Sequence, residues 1–535
     1  MSLTRPITRR RLLQRSALVG GGLAAGLLPL RGHSQRGSAA IVTRAKMRPQ
    51  LPYGVQSGDL AGERAILWAR ADRPARMVVE WSTSESFADA RSVVGPAALA
   101  DTDFTAKLDL GGLPRGQQIL YRVRMVDLAD PELVSEPVPG TFKTPPAARR
   151  SIRFLWSGDV AGQGWGINPE WGGMRIFEPM RQLQPDFFIH SGDSIYADGP
   201  IMAEQATPDG GLWKNLTTEA KSKVAETLDE FRGNYAYNLM DDNLRRFNAQ
   251  VPIFAQWDDH EVADNWYPSE DFGVDPSKSA YKVASATLLG ARAARAFQEY
   301  MPVRWDRTAW PHLYRSFGYG PALEVFRIDM RSYRGPNTDG RETELDDSAR
   351  ILGATQMRWL KQALLASDAT WKVIASDMPL GVIVWDDFRA RQGAEAVAQG
   401  EHGPPLGREL EIANLLRFIR DNDIKNVVWL TADVHYTAAH YYDPNQAQFQ
   451  EFTPFWEFVS GPLNAGTFGP GELDDTFGPE VVYFKAPPAG AFNLPPSAGL
   501  QFFGQVDIDA DLVMTVTLKD LTGSALFSQE IAPQV

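Results

Sequence analysis

Three apolar runs in this chain end in a carboxylate, and a fourth segment adds a dense acid–histidine cluster. Ile152 to Trp156 leads into Ser157-Gly158-Asp159, and Phe187 to Ile189 leads into His190-Ser191-Gly192-Asp193-Ser194-Ile195-Tyr196. Val427 to Leu430 leads into Thr431-Ala432-Asp433-Val434-His435, and the fourth segment reads Trp257-Asp258-Asp259-His260-Glu261. A short continuous apolar run suits a parallel strand covered on both faces, and ligand-binding loops gather at the carboxyl ends of such strands. A fold that satisfies all four segments places carboxylates, imidazoles and a phenol along one sheet end. That set suits a hydrolytic metal centre.

The rest of the chain is consistent with this demand. From Ile152 to about Pro444, apolar strands alternate with helical stretches, the clearest being Asp229 to Phe247, Lys278 to Tyr300, Ala354 to Ser367 and Glu409 to Asp423. Such alternation predicts α/β layers. Trp371 to Ser376 is another strand-like run ending in a carboxylate, Asp377. Between Tyr53 and Pro146 the runs are short, several alternate, and turn residues separate them closely, as a β-sandwich requires. Lys143 to Ala148 reads as a linker. After Gln448 the chain turns β-rich, with a closing hairpin from Leu512 to Leu518 and Ala525 to Ser528, and these late strands are expected to complete the second sheet.

Composition narrows the function classes. The formal charge is −12 although the first 36 residues carry seven arginines and no acid, so the body is strongly acidic. Nucleic acid and anionic membrane are therefore not expected as partners. There is no cysteine, which rules out disulfides, thiolate zinc sites and thiol nucleophiles. Neither a Gly-x-Ser-x-Gly elbow nor a Walker-type phosphate loop occurs. Thr8-Arg9-Arg10-Arg11-Leu12-Leu13 is similar to a twin-arginine export signal, followed by a Gly-diluted apolar stretch from Ala17 to Leu30 and small residues near Ser38-Ala39-Ala40. That stretch is shorter than the roughly 20 residues a membrane span needs. The expected organisation is a signal over 1–40, a β-sandwich over 50–146 and a catalytic domain over 150–535, with export through the twin-arginine machinery to the periplasm or beyond.

The four segments resemble those of the calcineurin-like metallophosphoesterases, and most closely of PhoD-type alkaline phosphatases. The family's Gly-Asp-x-x-Tyr, Trp-Asp-Asp-His-Glu and late Asp-x-His are matched by Asp193/Tyr196, Asp258 to Glu261 and Asp433/His435. The resemblance implies a four-layer α/β sandwich, two mixed sheets flanked by helices, behind an N-terminal fibronectin-III-like domain. It also implies a metal-activated water attacking phosphate esters at a multinuclear site.

The resemblance further implies roles. Asp193 bridges two cations, Tyr196 binds one of them as phenolate, and Asp159 serves as first ligand. A phenolate favours Fe³⁺. The best-known relatives carry a cysteine beside the first ligand, and here Asp159 alone must serve. Asp259 stands where related enzymes have an asparagine ligand, and a carboxylate there favours a hard ion such as Ca²⁺. Asp258 is the competing ligand. Asn265 could add an amide oxygen, and His260 would orient the leaving group or stabilise the phosphoryl oxygens. Asp433 and His435, at alternate positions of a strand end, can face one cavity. Asp377 is a further possible ligand, and His190 a possible neighbour of substrate or ligand. Mn²⁺, Zn²⁺ and Co²⁺ are alternative ions. Asp329, Arg331 and Arg334 match an Asp-x-Arg-x-x-Arg stretch and read as a buried ion-pair network. Competing functions are a phosphodiesterase or phospholipase D-like activity on the same site, or a non-catalytic extracellular binding protein.

Overall fold

Strand register decides where the acid-bearing segments meet. In the computed structural model, which describes residues 46–304 and 312–534, Ile152–Ser157, Phe187–Ser191 and Ile253–Gln256 run parallel as neighbours. Ser157 stands opposite His190, and Ser191 opposite Gln256. Their carboxyl ends are therefore level, and Asp159, Asp193 and Asp258 leave the sheet side by side. In a second sheet Leu323–Arg327, Trp371–Ala375, Val427–Thr431 and Phe455–Val459 are parallel neighbours, with Arg327 opposite Ala375 and Ala375 opposite Leu430. Asp329, Arg331, Asp377 and Asp433 leave that sheet at a common level.

The two sheets stack through an apolar layer that includes Phe154, Ile189, Phe254, Val373, Val428 and Phe458. On the outer face of the first sheet, Leu155, Phe188 and Ala255 pack on the helices Leu228–Asn238, Asp242–Asn248 and Ala286–Tyr300. On the outer face of the second, Phe326, Ile374 and Trp429 pack on Gly353–Ala366 and Glu409–Asp421. Each strand side chain buried on either face contributes about 1.5–3 kcal/mol relative to exposure, which explains the unbroken apolar runs. The architecture is the four-layer α/β sandwich that the resemblance implies.

Several boundaries differ from the sequence reading. The stretch from Asp229 to Phe247 is two helices, because Asp241 caps the second by accepting from Leu244 N at 2.9 Å while also holding Met174 N. The next helix begins at Ala286, where Ser285 Oγ accepts from Leu288 N at 3.2 Å, and not at Lys278. The late strands divide between sheets. Pro479–Lys485 extends the second sheet, but Phe502–Ile508 pairs antiparallel with Ile152–Ser157 and carries the closing hairpin, Met514–Asp520 and Ala525–Ile531, onto the first.

The N-terminal β region forms two facing layers, as a sandwich should. One is the four-stranded sheet of Ala75–Ser82, Arg91–Ala98, Gln118–Asp127 and Val138–Lys143. The other is not separate: Val55–Ala61, Arg64–Arg70 and Thr105–Leu110 continue the first catalytic sheet into nine strands, joined where Gly58 pairs with Ile253. A Cβ at Gly58 would stand 2.4 Å from the Ile253 carbonyl, so only glycine permits that approach. The stretch read as a linker is pinned, with Thr144 buried and its Oγ1 donating to Pro114 O at 2.6 Å. Residues from Arg48 onward form one compact unit. Among the described residues no helix is long and apolar enough to cross a membrane. The signal-like segment, residues 1–45, lies outside the described residues.

Candidate metal centre

The turns that follow the strands are tight, and several acids in them adopt backbone that side chains rarely tolerate. Asp159, Asp193, Asn265, Asp433 and His435 all have φ between 49° and 69°. Strain of this kind costs of order 1–3 kcal/mol per residue and persists where the surroundings over-determine it. Here the surroundings are two locked sheet ends. Trp156 Nε1 donates to Thr431 O at 3.1 Å, Ser157 Oγ to Phe502 O at 2.9 Å, and Gln256 Nε2 to Ala375 O at 2.9 Å. Gly192, at φ 95°, lets the Asp193 loop close on the next segment, since a Cβ there would meet Asp258 Cβ at 2.5 Å.

Glu261 ties the loops together. Its carboxylate accepts from Ser194 N and Ser194 Oγ at 2.6 Å each, from Asp258 N at 2.7 Å and from Asp193 N at 3.2 Å. The last residue of the Trp-Asp-Asp-His-Glu motif is thus a brace between Asp193 and the Asp258–Asp259 pair.

Two donor groups share Asp193. Asp159, Asp193 and His435 offer ligand atoms within 4.8 Å of one another, and so do Asp193, Asp259 and His260. Tyr196 completes the first group, its hydroxyl 2.9 Å from His435 Nε2. His435 Nδ1 donates to the Gly466 carbonyl, which fixes the neutral tautomer and turns the Nε2 lone pair toward Tyr196 and Asp159, whose Oδ1 is 3.9 Å away. In the second group the Asp259 carboxylate also accepts from Asn265 N at 2.6 Å. Asn265 thus meets the site through its backbone.

His260 sits at the mouth, its side chain 16% exposed, with its ring 4.2 Å from that of Tyr196. Its Nδ1 is 2.8 Å from Asp198 Oδ2, and the same oxygen accepts from Asp264 N at 2.7 Å. Asp198 carries no signal in the sequence beyond lying two residues after Tyr196. Its role as the partner of His260 is visible only in the fold.

Asp258 and Asp377 face a different neighbour. Arg331, fully buried, hydrogen-bonds Asp258 and Glu395, and its Nε lies 3.5 Å from Asp377 Oδ2. Arg334 NH1 donates to the same Glu395 oxygen, Oε1, at 2.8 Å. Asp258 remains close enough to Asp259 and Asp433 to form a third donor group with them. The Asp-x-Arg-x-x-Arg stretch is therefore an ion-pair network, but one that borders the centre. His190 lies outside these groups. It is buried edge-on to Phe188, and burial pushes it down to about 4.

Electrostatics separate the acids. Burial pushes Asp159 and Asp193 well above the carboxylate range, and the negative charges of Asp258, Asp259 and Glu261 add to it. Both oxygens of Asp159 are buried and accept no hydrogen bond. Burial also lifts the Tyr196 phenol well above its usual value, helped by Asp193 and Asp159. Burial lowers His435 to about 4, leaving a neutral imidazole. Burial works against a charged His260, but Asp198, Asp259 and Asp193 outweigh it and raise that imidazole well above its ordinary value. Partnerless carboxylate oxygens, a neutral imidazole with an available lone pair and a phenol form a donor set for metal ions with oxygen and nitrogen preference. The residues present fit such ions.

Comparison with known proteins agrees. The profile of the PhoD-like phosphatases matches residues 154–517, and that of their N-terminal domain matches residues 36–146. This chain belongs to the PhoD-like phosphatase family. Alkaline phosphatase D of Bacillus subtilis (strain 168) is 27% identical over 489 residues, covering 86% of this chain and 78% of that protein. The solved structure of PhoD superposes with a TM-score of 0.66 at 20% identity, covering 91% of this chain and 92% of the other. A purple acid phosphatase, PPD1 from yellow lupin (Lupinus luteus) seeds, superposes with a TM-score of 0.53 at 12% identity over 91% of this chain and 74% of its own, which shows a shared fold. As a PhoD-like phosphatase, the protein is a phosphoric ester hydrolase with phosphate esters as substrates.

Proposed function

We propose that the protein is an exported, metal-dependent alkaline phosphatase whose centre is built on Asp193. The observation that carries this reading is the sharing of Asp193 between two donor groups, in one of which both oxygens of buried Asp159 lack a protein partner. In this reading Asp193 would be shared by both ions, Asp159, Tyr196 and His435 would hold one, and Asp259, with Asp433 and Asn265 beside it, would hold the other. The Tyr196 phenol next to a neutral His435 supports Fe³⁺ on the first side, and the carboxylate-rich second side supports Ca²⁺. When bound, such ions supply Lewis acidity to water and to the phosphoryl group.

The chain's own groups do the rest. His260, kept protonated by Asp198 and held by it through Nδ1, delivers a proton from Nε2 to the departing alkoxide. Asp198 sets the ring's orientation. Glu261 ties the Asp193 loop to Asp258 and so sets where the two loops stand. The arginine-rich N-terminus supports export by the twin-arginine route in the folded state, because ligands this far apart in sequence assemble only in the folded chain.

The test is hydrolysis of a chromogenic phosphomonoester and the matching diester by purified protein, with metals counted in the same sample, before and after chelation. Monoester turnover that chelator abolishes and metal restores is expected. Chelator-resistant turnover would refute a metal mechanism, and a marked preference for the diester would replace phosphatase by phosphodiesterase.

A further inference from the structure

Arg331 uses only part of its guanidinium. Asp258 holds Nε and Glu395 holds NH1, while Glu395 is fixed in turn by Arg334 NH1 at 2.8 Å. A guanidinium is a rigid planar fork, so binding at two nitrogens sets the direction of the third. That third nitrogen, NH2, is buried and has no hydrogen-bond partner. It lies 3.9 Å from Asp259 Oδ1 and 3.8 Å from Asp433 Oδ1, between two acids of the centre but bonded to neither.

A buried charged donor left unsatisfied is costly, and the network around Arg331 would be cheaper if NH2 also had an acceptor. The free N–H groups point to an acceptor that comes and goes. Water could fill the place, but it would waste the alignment of a fixed cation. A tetrahedral oxyanion suits it better, having enough oxygens to divide between the metal side and a guanidinium. We propose that Arg331 is a substrate-binding residue whose NH2 donates to a phosphoryl oxygen, with Asp258, Glu395 and Arg334 acting as the clamp that aims it. This rests on the reading of the site as a phosphatase. It assigns to the Asp-x-Arg-x-x-Arg stretch a function beyond charge compensation: Arg331 contacts substrate and Arg334 positions it through Glu395.

The metal-loaded protein crystallised with orthovanadate tests this. A vanadate oxygen within about 2.7–3.1 Å of Arg331 NH2 is expected. Vanadate seated on the metals, with NH2 facing only water or the Asp259 and Asp433 carboxylates, would overturn it. In solution, Arg331→Lys keeps the charge but loses the fork. With metal content unchanged, it should weaken competitive inhibition by vanadate, and raise KM for a phosphomonoester, by about ten- to a hundredfold, the loss of one charge-assisted hydrogen bond. Inhibition within about twofold of wild type at full metal content would contradict the proposal. Should the lysine variant not fold, the wild-type complex decides alone. A holoprotein that neither hydrolyses esters nor binds vanadate overturns the phosphatase reading itself, a result distinct from vanadate bound away from Arg331.

Discussion

Two clusters of buried acids lie side by side in this molecule, and they solve the same electrostatic problem differently. Around Arg331, the carboxylates of Asp258 and Glu395 receive a guanidinium from the chain itself, and the Glu395 carboxylate is held below its usual range because Arg331 and Arg334 outweigh burial. Around Asp193 the charge from the chain is unevenly shared: His260 and Arg331 outweigh burial at Asp259, but Asp159 is fully buried with both oxygens partnerless, and burial lifts it and Asp193 far above that range. Burying an ionised carboxylate without a partner is among the most expensive things a fold can do. The difference teaches where the missing positive charge must come from. The protein compensates Glu395 in full, whereas Asp159 and Asp193, and Asp377 at the border between the clusters, are left short of positive charge.

The sharpest way to break the comparison is substitution at the shared acid. Asp193→Asn should remove at least one ion and lower turnover by about a thousandfold or more, since Lewis-acid stabilisation is worth several kcal/mol, with the circular dichroism spectrum unchanged. Wild-type turnover in that variant would dissolve the distinction between the clusters. Next in size is the opposite cluster. Glu395→Gln leaves Arg331 and Arg334 under-compensated and should destabilise the fold by about 3–5 kcal/mol in chemical unfolding. A loss below about 1 kcal/mol would mean that this network is as dispensable as a surface pair.

Smaller effects sharpen the reading of individual residues. Asp198→Asn weakens the hold on His260 and should cost about ten- to a hundredfold in kcat at unchanged metal content, the usual scale for a residue that orients a functional imidazole. A parallel loss of metal would reassign Asp198 to the ligand set. Tyr196→Phe should remove a visible charge-transfer band if Fe³⁺ occupies the first side. A colourless, fully active wild type would point to divalent ions alone.

The pH response of metal-stripped protein distinguishes the clusters by sign. Asp159 and Asp193 have folded values raised above the unfolded range, so the folded state holds the extra protons. Stability is then fully present below about pH 4 and falls as pH rises through the raised values. Stripped wild type should lose stability across that window, and Asp159→Asn should lose less. Melting temperatures recorded from pH 4 to 8 would show it, and identical slopes would contradict it.

Much of the candidate centre's placement was legible in the sequence because its acids follow short buried strands, whose apolar runs are local and bounded. Parallel register levels Asp159 with Asp193 in one sheet, and His435 reaches them from the other, whereas Asp433 groups with Asp258 and Asp259 instead of sharing a cavity with His435 as its alternate position suggested. Asp198, Arg331 and Glu395 were not legible as parts of one site. Glu395 meets Arg331 across 64 residues and Arg331 meets Asp258 across 73, and such pairs have no periodicity. The placement of the closing hairpin was hidden for a related reason. Alternation identifies a strand but not the sheet edge it joins, so Phe502–Ile508 could be read as a strand without revealing its pairing to Ile152–Ser157. The continuation of the N-terminal strands into the catalytic sheet depends on one glycine, Gly58, and a turn or bulge would have been an equally good reading of it.

The most direct test of the missing charge is the unfolding midpoint of chelator-stripped wild type beside stripped Asp159→Asn and Asp193→Asn at pH 8, each measured again after metal is restored. If the Asp193 cluster is uncompensated, both variants unfold at a higher temperature than stripped wild type, and restored metal raises the wild-type midpoint by far the most. If stripped wild type is instead the most stable of the three, or metal raises all three alike, the acids around Asp193 are already balanced by the protein and the metal centre is not there.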